Sequence, residues 1–529
     1  MSPTAPTILA DVARSFPDGL RDESRRSGTA DGVAFPTSAE EVCALLRLTA
    51  AQGSRVTIQG ARTGIAAGAV PDGGLLLSLT RMDRILGVSF DAAGLARVRV
   101  QPGVTLTALR AFLDGAAVDT SSWGDESRAA LARLRTGRWM FTPDPTETSA
   151  SLGGMVACNA SGACSFAYGA TRGHVSRLMV ALADGDRLDL ARGAPRATGR
   201  EFRIMTRGGR TLVGRLPAYQ PLAVKNAAGY FIAPDMDLLD LFIGSEGTLG
   251  VIVEIELLLR PRPAVTWGVV CFLPDEARAL DFVEWARGPE RTGAKRPVAI
   301  EYFDSGVLDL LRQACANGAH LPQLQDNWKQ AVYVEYAADD EATAAACGED
   351  VAQWLAAAGG AEESWAATDE AGLRRLKEFR HAAPEQVNLR IAERQREHPG
   401  LTKLGTDLSV PDTCLRPVMA MYRRDLAQAG LESSVVFGHI GNNHVHVNIL
   451  PRDMQEYAQG KALYEGWAQQ VVAWGGSVSA EHGIGKLKVN LLRLMYGTDG
   501  IAQMRELKKI FDPGEKLGVG NLFAAEETR

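Results

Sequence analysis

Four of the chain's eight histidines stand between positions 439 and 482. His439, His444 and His446 lie in Phe437-Gly-His-Ile-Gly-Asn-Asn-His-Val-His-Val-Asn448, and His482 lies in Ser477-Val-Ser-Ala-Glu-His-Gly-Ile-Gly485. A lone histidine is most simply satisfied by a carbonyl, but core packing does not require so many imidazoles in two short segments. Imidazole nitrogen and carboxylate oxygen are the donors that zinc, iron(II) or manganese take, with positions left open for a substrate. The runs 435–440 and 445–450 read as two strands joined by Gly441-Asn442-Asn443-His444, residues that tolerate the positive φ of a tight hairpin. That register sets His439 opposite His446, where Cβ atoms on one face are ~4.5 to 5.5 Å apart. From there both rings reach one cation at ~2.0 to 2.1 Å. Asn448 points to the same face, either into the site or toward backbone. Glu481 is the natural third ligand, and Gly483 and Gly485 mark a loop in which His482 also turns toward the cavity.

Glycine-rich segments point to a phosphate-bearing ligand. In Val56-Thr-Ile-Gln-Gly-Ala-Arg-Thr-Gly-Ile-Ala-Ala-Gly-Ala-Val-Pro71 a strand runs into a loop with Gly60, Gly64 and Gly68, whose amides can approach a pyrophosphate closely. Its spacing is not the dinucleotide-binding GxGxxG, and no acidic ribose-binding residue follows at the expected distance. Alone it reads equally as a turn-rich loop. Pro143 to Gly169, followed by Gly173-His174, adds Ser149, Gly153, Gly154, Asn159, Gly162 and Tyr168. With Lys225-Asn-Ala-Ala-Gly-Tyr230 and Ile243-Gly-Ser-Glu-Gly-Thr-Leu-Gly-Val251 the set becomes specific.

The elements that must position these residues fall into three stretches. The first, 1–262, alternates short strands with Gly-rich turns and a few amphipathic helices from residue 33 onward. One helix spans 38–51, capped by Ser38, with Glu40 and Glu41 in its first turn and Val42, Leu45, Leu46 and Leu48 as its apolar stripe. Val251 to Leu259 reads as a buried strand that stops at Arg260-Pro261-Arg262-Pro263, where two prolines discourage further pairing. From 263 to 476 strands precede helices (267–272 then 276–287; 331–336 then 339–358), an α+β pattern with helices covering one antiparallel sheet. Residues 477–529 turn glycine-rich again, end in a helix over 500–510, and are expected to return to the first stretch.

The chain's 529 residues exceed the size at which one core stops growing, so at least two domains share it. A net charge of −6 with scattered Lys and Arg gives no footprint for nucleic acid. The seven cysteines (Cys43, Cys158, Cys164, Cys271, Cys315, Cys347, Cys414) include no CxxC pair, which fits free thiols in a reducing cytoplasm. Neither a signal-peptide pattern nor an apolar run of ~18 residues occurs, so no transmembrane segment is expected. Peripheral attachment to a membrane needs only a surface patch and stays open.

From about Phe35 to Phe523 the sequence resembles the FAD-linked oxidase superfamily of vanillyl-alcohol oxidase and p-cresol methylhydroxylase type, in its D-lactate and D-2-hydroxyglutarate dehydrogenase branch. The resemblance implies a two-part FAD-binding domain, an α+β cap with an antiparallel sheet, and a C-terminal segment packing back on the FAD domain. It places FAD against Gln59, Gly60, Ala61, Arg62, Thr63, Gly64, Gly68 and Ala69, and against Pro143, Thr148, Ser149, Gly153, Gly154, Asn159, Ser161, Gly162, Tyr168, Gly169 and Gly173. Glu246, Gly250, Val251 and Asn521 complete the cofactor set. Some relatives attach FAD through a histidine in the first glycine loop; here the first histidine is His174, so dissociable FAD is expected. The resemblance also supports His439, His446 and Glu481 as ligands of a divalent metal, zinc foremost, and His482 as catalytic base. Arg380 matches its substrate arginine, whose planar fork suits a carboxylate, and Lys403 is a second candidate. Where the branch usually reads Asp-Gly-Asn, this chain has Asn442-Asn443-His444. The implied reaction is oxidation of a D-2-hydroxy acid, with a quinone, an electron-transfer flavoprotein or a cytochrome taking the electrons onward. The alternatives are an alcohol oxidase or ether-lipid-type synthase on the same fold, or a flavin-binding subunit of a larger complex.

Overall fold

The computed structural model describes residues 7–319, 321–358 and 364–524. Two sheets build the first stretch. A four-stranded sheet orders Ile8–Ala10, Gly32–Ala34, Leu75–Ser78 and Val56–Gln59, its last three strands parallel. An antiparallel five-stranded sheet orders Ile85–Phe90, Ala96–Val100, Val251–Leu258, Val175–Ala181 and Arg187–Ala191. The helix Ala39–Gln52 joins them in one apolar cluster, its Val42, Leu45 and Leu46 packing with Leu77, Ala181 and Val251. Its N-cap is Ser38, whose hydroxyl accepts the Glu41 N–H, as the sequence leads one to expect. The strand after Val251 ends at Leu258, yet Arg260–Pro261 still pairs with Trp139–Met140. That pairing corrects the reading that the prolines end it: one residue's carbonyl and N–H suffice at a two-residue edge.

The second stretch is one antiparallel sheet of seven strands, ordered Trp365–Ala367, Val265–Leu273, Gln330–Ala338, Ala299–Phe303, Val435–Gly438, His446–Ile449 and Leu404–Gly405. Helices cover both of its faces. Val270, Phe272, Phe303, Tyr333 and Phe437 face the helices Ser305–Ala316 and Glu370–Arg394, while the alternate residues Val269, Cys271, Ile300 and Val334 join the opposite core. This alternation puts Glu301 and His439 on the side where the helix carrying Arg380 lies. Among the described residues no helix is long and apolar enough to cross a membrane.

The C-terminal helix runs Val489–Phe511, broken at Gly497 (φ 69°), and is longer than the 500–510 segment visible in the sequence. After it the chain comes back along the first sheet, with Leu517 bridging Val56. Lys508 pins that return. Its Nζ, on a side chain 5 % exposed, donates to Asp512 Oδ2 (2.6 Å), Thr248 O (2.7 Å) and Leu517 O (3.0 Å). Removing the ammonium strands the buried Asp512 carboxylate and two carbonyls, and breaking a buried pair from one side costs about 3 to 5 kcal/mol. Lys508→Met should therefore lower the urea midpoint of unfolding by an amount equivalent to at least ~3 kcal/mol; a change under ~1 kcal/mol would show the clamp to be dispensable.

Candidate active site

The site is built where two strands of the large sheet end. In their pairing Phe437, not His439, stands opposite His446. His439 lies beyond the strand and opens a 3-10 turn at Ile440–Asn442, closed by the His444 N–H on the His439 carbonyl (3.2 Å). Asn443 takes the expected positive φ, 52°. The expected register fails because the connection is a helical turn rather than a tight hairpin, and that turn also swings His444 inward. The rings converge all the same, with centroids 5.9 Å apart for His439 and His446 and 4.5 Å for His444 and His446. One nitrogen from each of His439, His444 and His446 and one Glu481 oxygen lie within 4.8 Å of one another.

Outer contacts orient the rings. His446 Nδ1 is 2.7 Å from the Thr406 carbonyl, which can only accept, so Nδ1 carries the proton and Nε2 keeps its lone pair. His439 Nδ1 is 2.6 Å from Glu301 Oε1, which leaves its Nε2 facing Glu481 Oε2 at 3.2 Å. The Tyr302–Gly438 pairing sets Glu301 beside His439. Burial opposes charge on His439, but Glu301 and Glu481 raise it to about 9; burial and the neighbouring His482 and His439 lower His446 to about 4. The other oxygen of Glu481 accepts from Ser161 Oγ (3.1 Å) and from the Lys225 ammonium. Against the cost of burial, His439 and Lys225 hold the Glu481 carboxyl well below the usual range.

Glu481 and His482 share a loop strung between two buried carboxylates. Asp407, 0 % exposed, accepts the N–H groups of Glu481 (3.1 Å) and His482 (3.0 Å), the Ser479 hydroxyl (2.7 Å) and the Lys488 ammonium (2.7 Å). Despite burial, His482 and Lys488 hold its carboxyl far below the usual range. Glu246 accepts the N–H groups of Ile484 (2.7 Å) and Gly485 (2.6 Å). Gly483 and Gly485, at φ 72° and 50°, permit the path between them. His482 Nδ1 is 3.4 Å from Asp407 Oδ2, and its ring stacks on His446 with centroids 5.5 Å apart. Burial lowers His482 to about 4, so at neutral pH the ring is a free base.

Arg380 and Lys403 flank this cluster. Arg380 Nη2 touches His381 Nε2 (3.1 Å), and among the described residues its guanidinium makes no ion pair. Glu301 and Asp144 are the charges that act on it most. Asn448 Nδ2 donates to the His446 carbonyl (3.2 Å), while its Oδ1 has no hydrogen-bond partner. Lys403 lies beside Gly405 next to Asn448; the residue is exposed overall, yet the protein packed around its charged end lowers it to about 8.

The glycine segments divide by what their backbone meets. A Cβ on Gly60 would lie 2.0 Å from Ser151 Oγ, on Gly153 2.5 Å from Pro102 Cβ, and on Gly162 1.9 Å from the Asp144 carbonyl oxygen. Those glycines serve close packing. Around Gly64, Gly169 and Gly173 there is open space within 4 Å. Gln59 and Asn521 brace the first loop: Gln59 Nε2 donates to Gly19 O (2.6 Å) and Ala69 O (2.7 Å), and Asn521 Nδ2 to Gly68 O (2.9 Å) and Glu246 O (3.1 Å). Ala61 donates its N–H to Ser151 Oγ, whereas Arg62 and Thr63 stay half-buried, and Thr148 and Ser149 are exposed. Pro143 is buried, Tyr168 O is 2.9 Å from His174 Nε2, and Gly154 N–H donates to Ser151 Oγ (3.3 Å). Gly250 and Val251 turn into the sheet, against Val180 and Ala181, so their side of the chain meets core rather than cavity. A cavity of about 350 Å³, lined by Asn159, Gly169, Gly173, Lys225, Asn226 and Asn442, separates the second glycine segment from the histidine turn. Open glycine backbone beside a cavity that mixes polar and apolar lining and reaches Glu481 through Lys225 fits a flavin at this place, and the converging donor atoms of His439, His446 and Glu481 fit a divalent cation.

Sequence reasoning missed Asp407, Glu301, Lys225 and Thr406. Glu301 carried a signal, as the one charged residue in the apolar run Ala299–Phe303. Lys225 stood in a segment already singled out.

Residues 30–129 and 124–191 match the family described as FAD binding domain, and residues 262–522 match FAD linked oxidases, C-terminal domain. The chain therefore belongs to the FAD linked oxidases. It is similar over nearly its whole length to a probable mitochondrial D-lactate dehydrogenase of Danio rerio (29 % identity, 96 % of this chain and 87 % of the relative). It is likewise similar to a D-2-hydroxyglutarate dehydrogenase of Xanthomonas citri pv. viticola (29 %, 94 % and 89 %) and a D-lactate dehydrogenase of Archaeoglobus fulgidus (27 %, 93 % and 90 %). Among solved structures it shares the fold of an alkyldihydroxyacetonephosphate synthase, with a TM-score of 0.61, 16 % identity, and 93 % of this chain and 76 % of that one covered.

The geometry predicts that His439→Ala or His446→Ala fails to retain a divalent metal offered to the protein while keeping its FAD, because the rings stand at the end of the large sheet and not on the glycine loops. Elemental analysis beside the flavin spectrum decides this, and undiminished metal in either variant would remove that residue from the ligand set.

Proposed function

We propose that this chain is an FAD- and metal-dependent dehydrogenase that oxidises a D-2-hydroxy acid to the 2-oxo acid. The observation that carries the reading is the meeting of His439, His446 and Glu481 with a further imidazole, His482, on a loop that Lys225 ties to the cavity beside the second glycine segment. When bound, FAD accepts the C2 hydrogen with its electron pair, and a divalent cation draws electron density from the C2 hydroxyl, easing its deprotonation. His439 Nε2, His446 Nε2 and Glu481 hold that cation, and Ser161 and Lys225 fix the glutamate. The chain's other groups handle substrate and proton. Arg380, whose fork has no carboxylate partner of its own, takes the substrate carboxylate in two parallel hydrogen bonds and so orients C2. His482 takes the hydroxyl proton at Nε2 while Asp407 faces Nδ1, so the ring stays oriented as it charges. Asn448, with an unpartnered oxygen, and Lys403 supply further polar contacts to the acid.

The names of the relatives support this substrate class, and an ether-lipid-type synthase would have no use for the ligand set. FAD is held without a covalent bond, since the first glycine loop has no histidine.

An anaerobic screen of D- and L-2-hydroxy acids tests the reading. D-acids should bleach the flavin and L-acids should not, and acid precipitation should release free FAD; a flavin untouched by every D-acid would end the proposal. Arg380→Met should raise KM roughly 10- to 100-fold, the worth of a lost hydrogen bond to a charged group. His482→Asn should slow flavin reduction by roughly 10² or more with FAD and metal content unchanged. An unchanged reduction rate would assign the proton to another group.

A further inference from the structure

His444 is sealed at 0 % exposure, and among the described residues neither of its ring nitrogens has a hydrogen-bond partner. An imidazole buried without partners is costly, so a ring in this state calls for a ligand. Its neighbours say which kind. The centroids of His446 and His439 are 4.5 and 5.5 Å away, and one His444 nitrogen belongs to the group of donor atoms, with His439, His446 and Glu481, that all lie within 4.8 Å. Each of the other two imidazoles has an outer oxygen, Glu301 for His439 and the Thr406 carbonyl for His446. His444 has the matching feature: its Nε2 is 3.1 Å from Asp407 Oδ1, close enough for attraction but out of line for a hydrogen bond. The 3-10 turn that displaced the strand register is what carries the ring inward.

We propose that His444 is a fourth protein ligand, so that three imidazoles and Glu481 enclose one divalent cation. This rests on the reading that His439, His446 and Glu481 hold a cation. Three nitrogens and one oxygen favour zinc or another late first-row ion over manganese or magnesium, following the preference of imidazole. Zinc can take a fifth ligand, so such a site would still leave the hydroxy acid a place.

The test uses FAD-loaded protein stripped of metal and reloaded with one equivalent of zinc. X-ray absorption at the zinc edge should count three imidazoles in the parent and two in His444→Asn. Competition with a chelator should show the variant binding zinc at least ~10-fold more weakly, the scale of loss known even for outer partners of metal-binding histidines. His444→Gln gives a second variant of similar volume, and the parent count needs no variant at all. Two imidazoles in the parent, with equal zinc affinity in parent and variants, overturns the role of His444 and leaves the three-ligand reading standing. A parent that takes up no zinc, or His439→Ala that still holds a full equivalent, overturns both.

Discussion

A carboxylate with no access to water must be met by donors, and Asp407 is met by the chain that carries the chemistry. Its two oxygens collect the amides of Glu481 and His482, the Ser479 hydroxyl and the Lys488 ammonium. An ionised group left unpaired there would cost several kcal/mol, so the loop cannot move away without stranding it. Glu246 applies the same constraint from the FAD-binding side through Ile484 and Gly485. Glu481 and His482 thus sit on irregular backbone that is held as firmly as a strand.

The large sheet supplies the second half of the constraint. With helices on both faces its strands have little freedom to slide, and the pairing of Tyr302 with Gly438 delivers Glu301 to His439. The helix over the same face brings Arg380 to the rim. Rigid elements therefore carry His446 and the Arg380 guanidinium and anchor the turn that holds His439 and His444, while the glycine segments present backbone. The Glu481 contacts to Ser161 and Lys225 join the two sides.

Much of this was legible in the residues themselves. Histidines crowded beside Glu481 announce their chemistry because packing has no need of them, and Ser38 announces a helix start because its cap is local. The strand register was not legible: whether Gly441-Asn442-Asn443-His444 makes a tight turn or a 3-10 turn is settled by tertiary packing, and the choice changed which residue faces His446. Gly60, Gly153 and Gly162 look like phosphate-facing glycines in sequence, yet Ser151, Pro102 and Asp144 press against them. Asp407 and Glu301 escaped notice because their partners are far away in sequence, and a single acidic residue in an apolar run has no periodicity to expose it.

The central claim, that the cation held by His439, His446 and Glu481 is required for hydroxy-acid oxidation and not for folding or flavin retention, is tested most directly by removing it. Protein treated with chelator should keep its FAD spectrum, lose anaerobic bleaching by a D-2-hydroxy acid that reduces the untreated sample, and regain it with one equivalent of divalent metal. Bleaching at full rate in protein shown by elemental analysis to be free of metal would contradict the account.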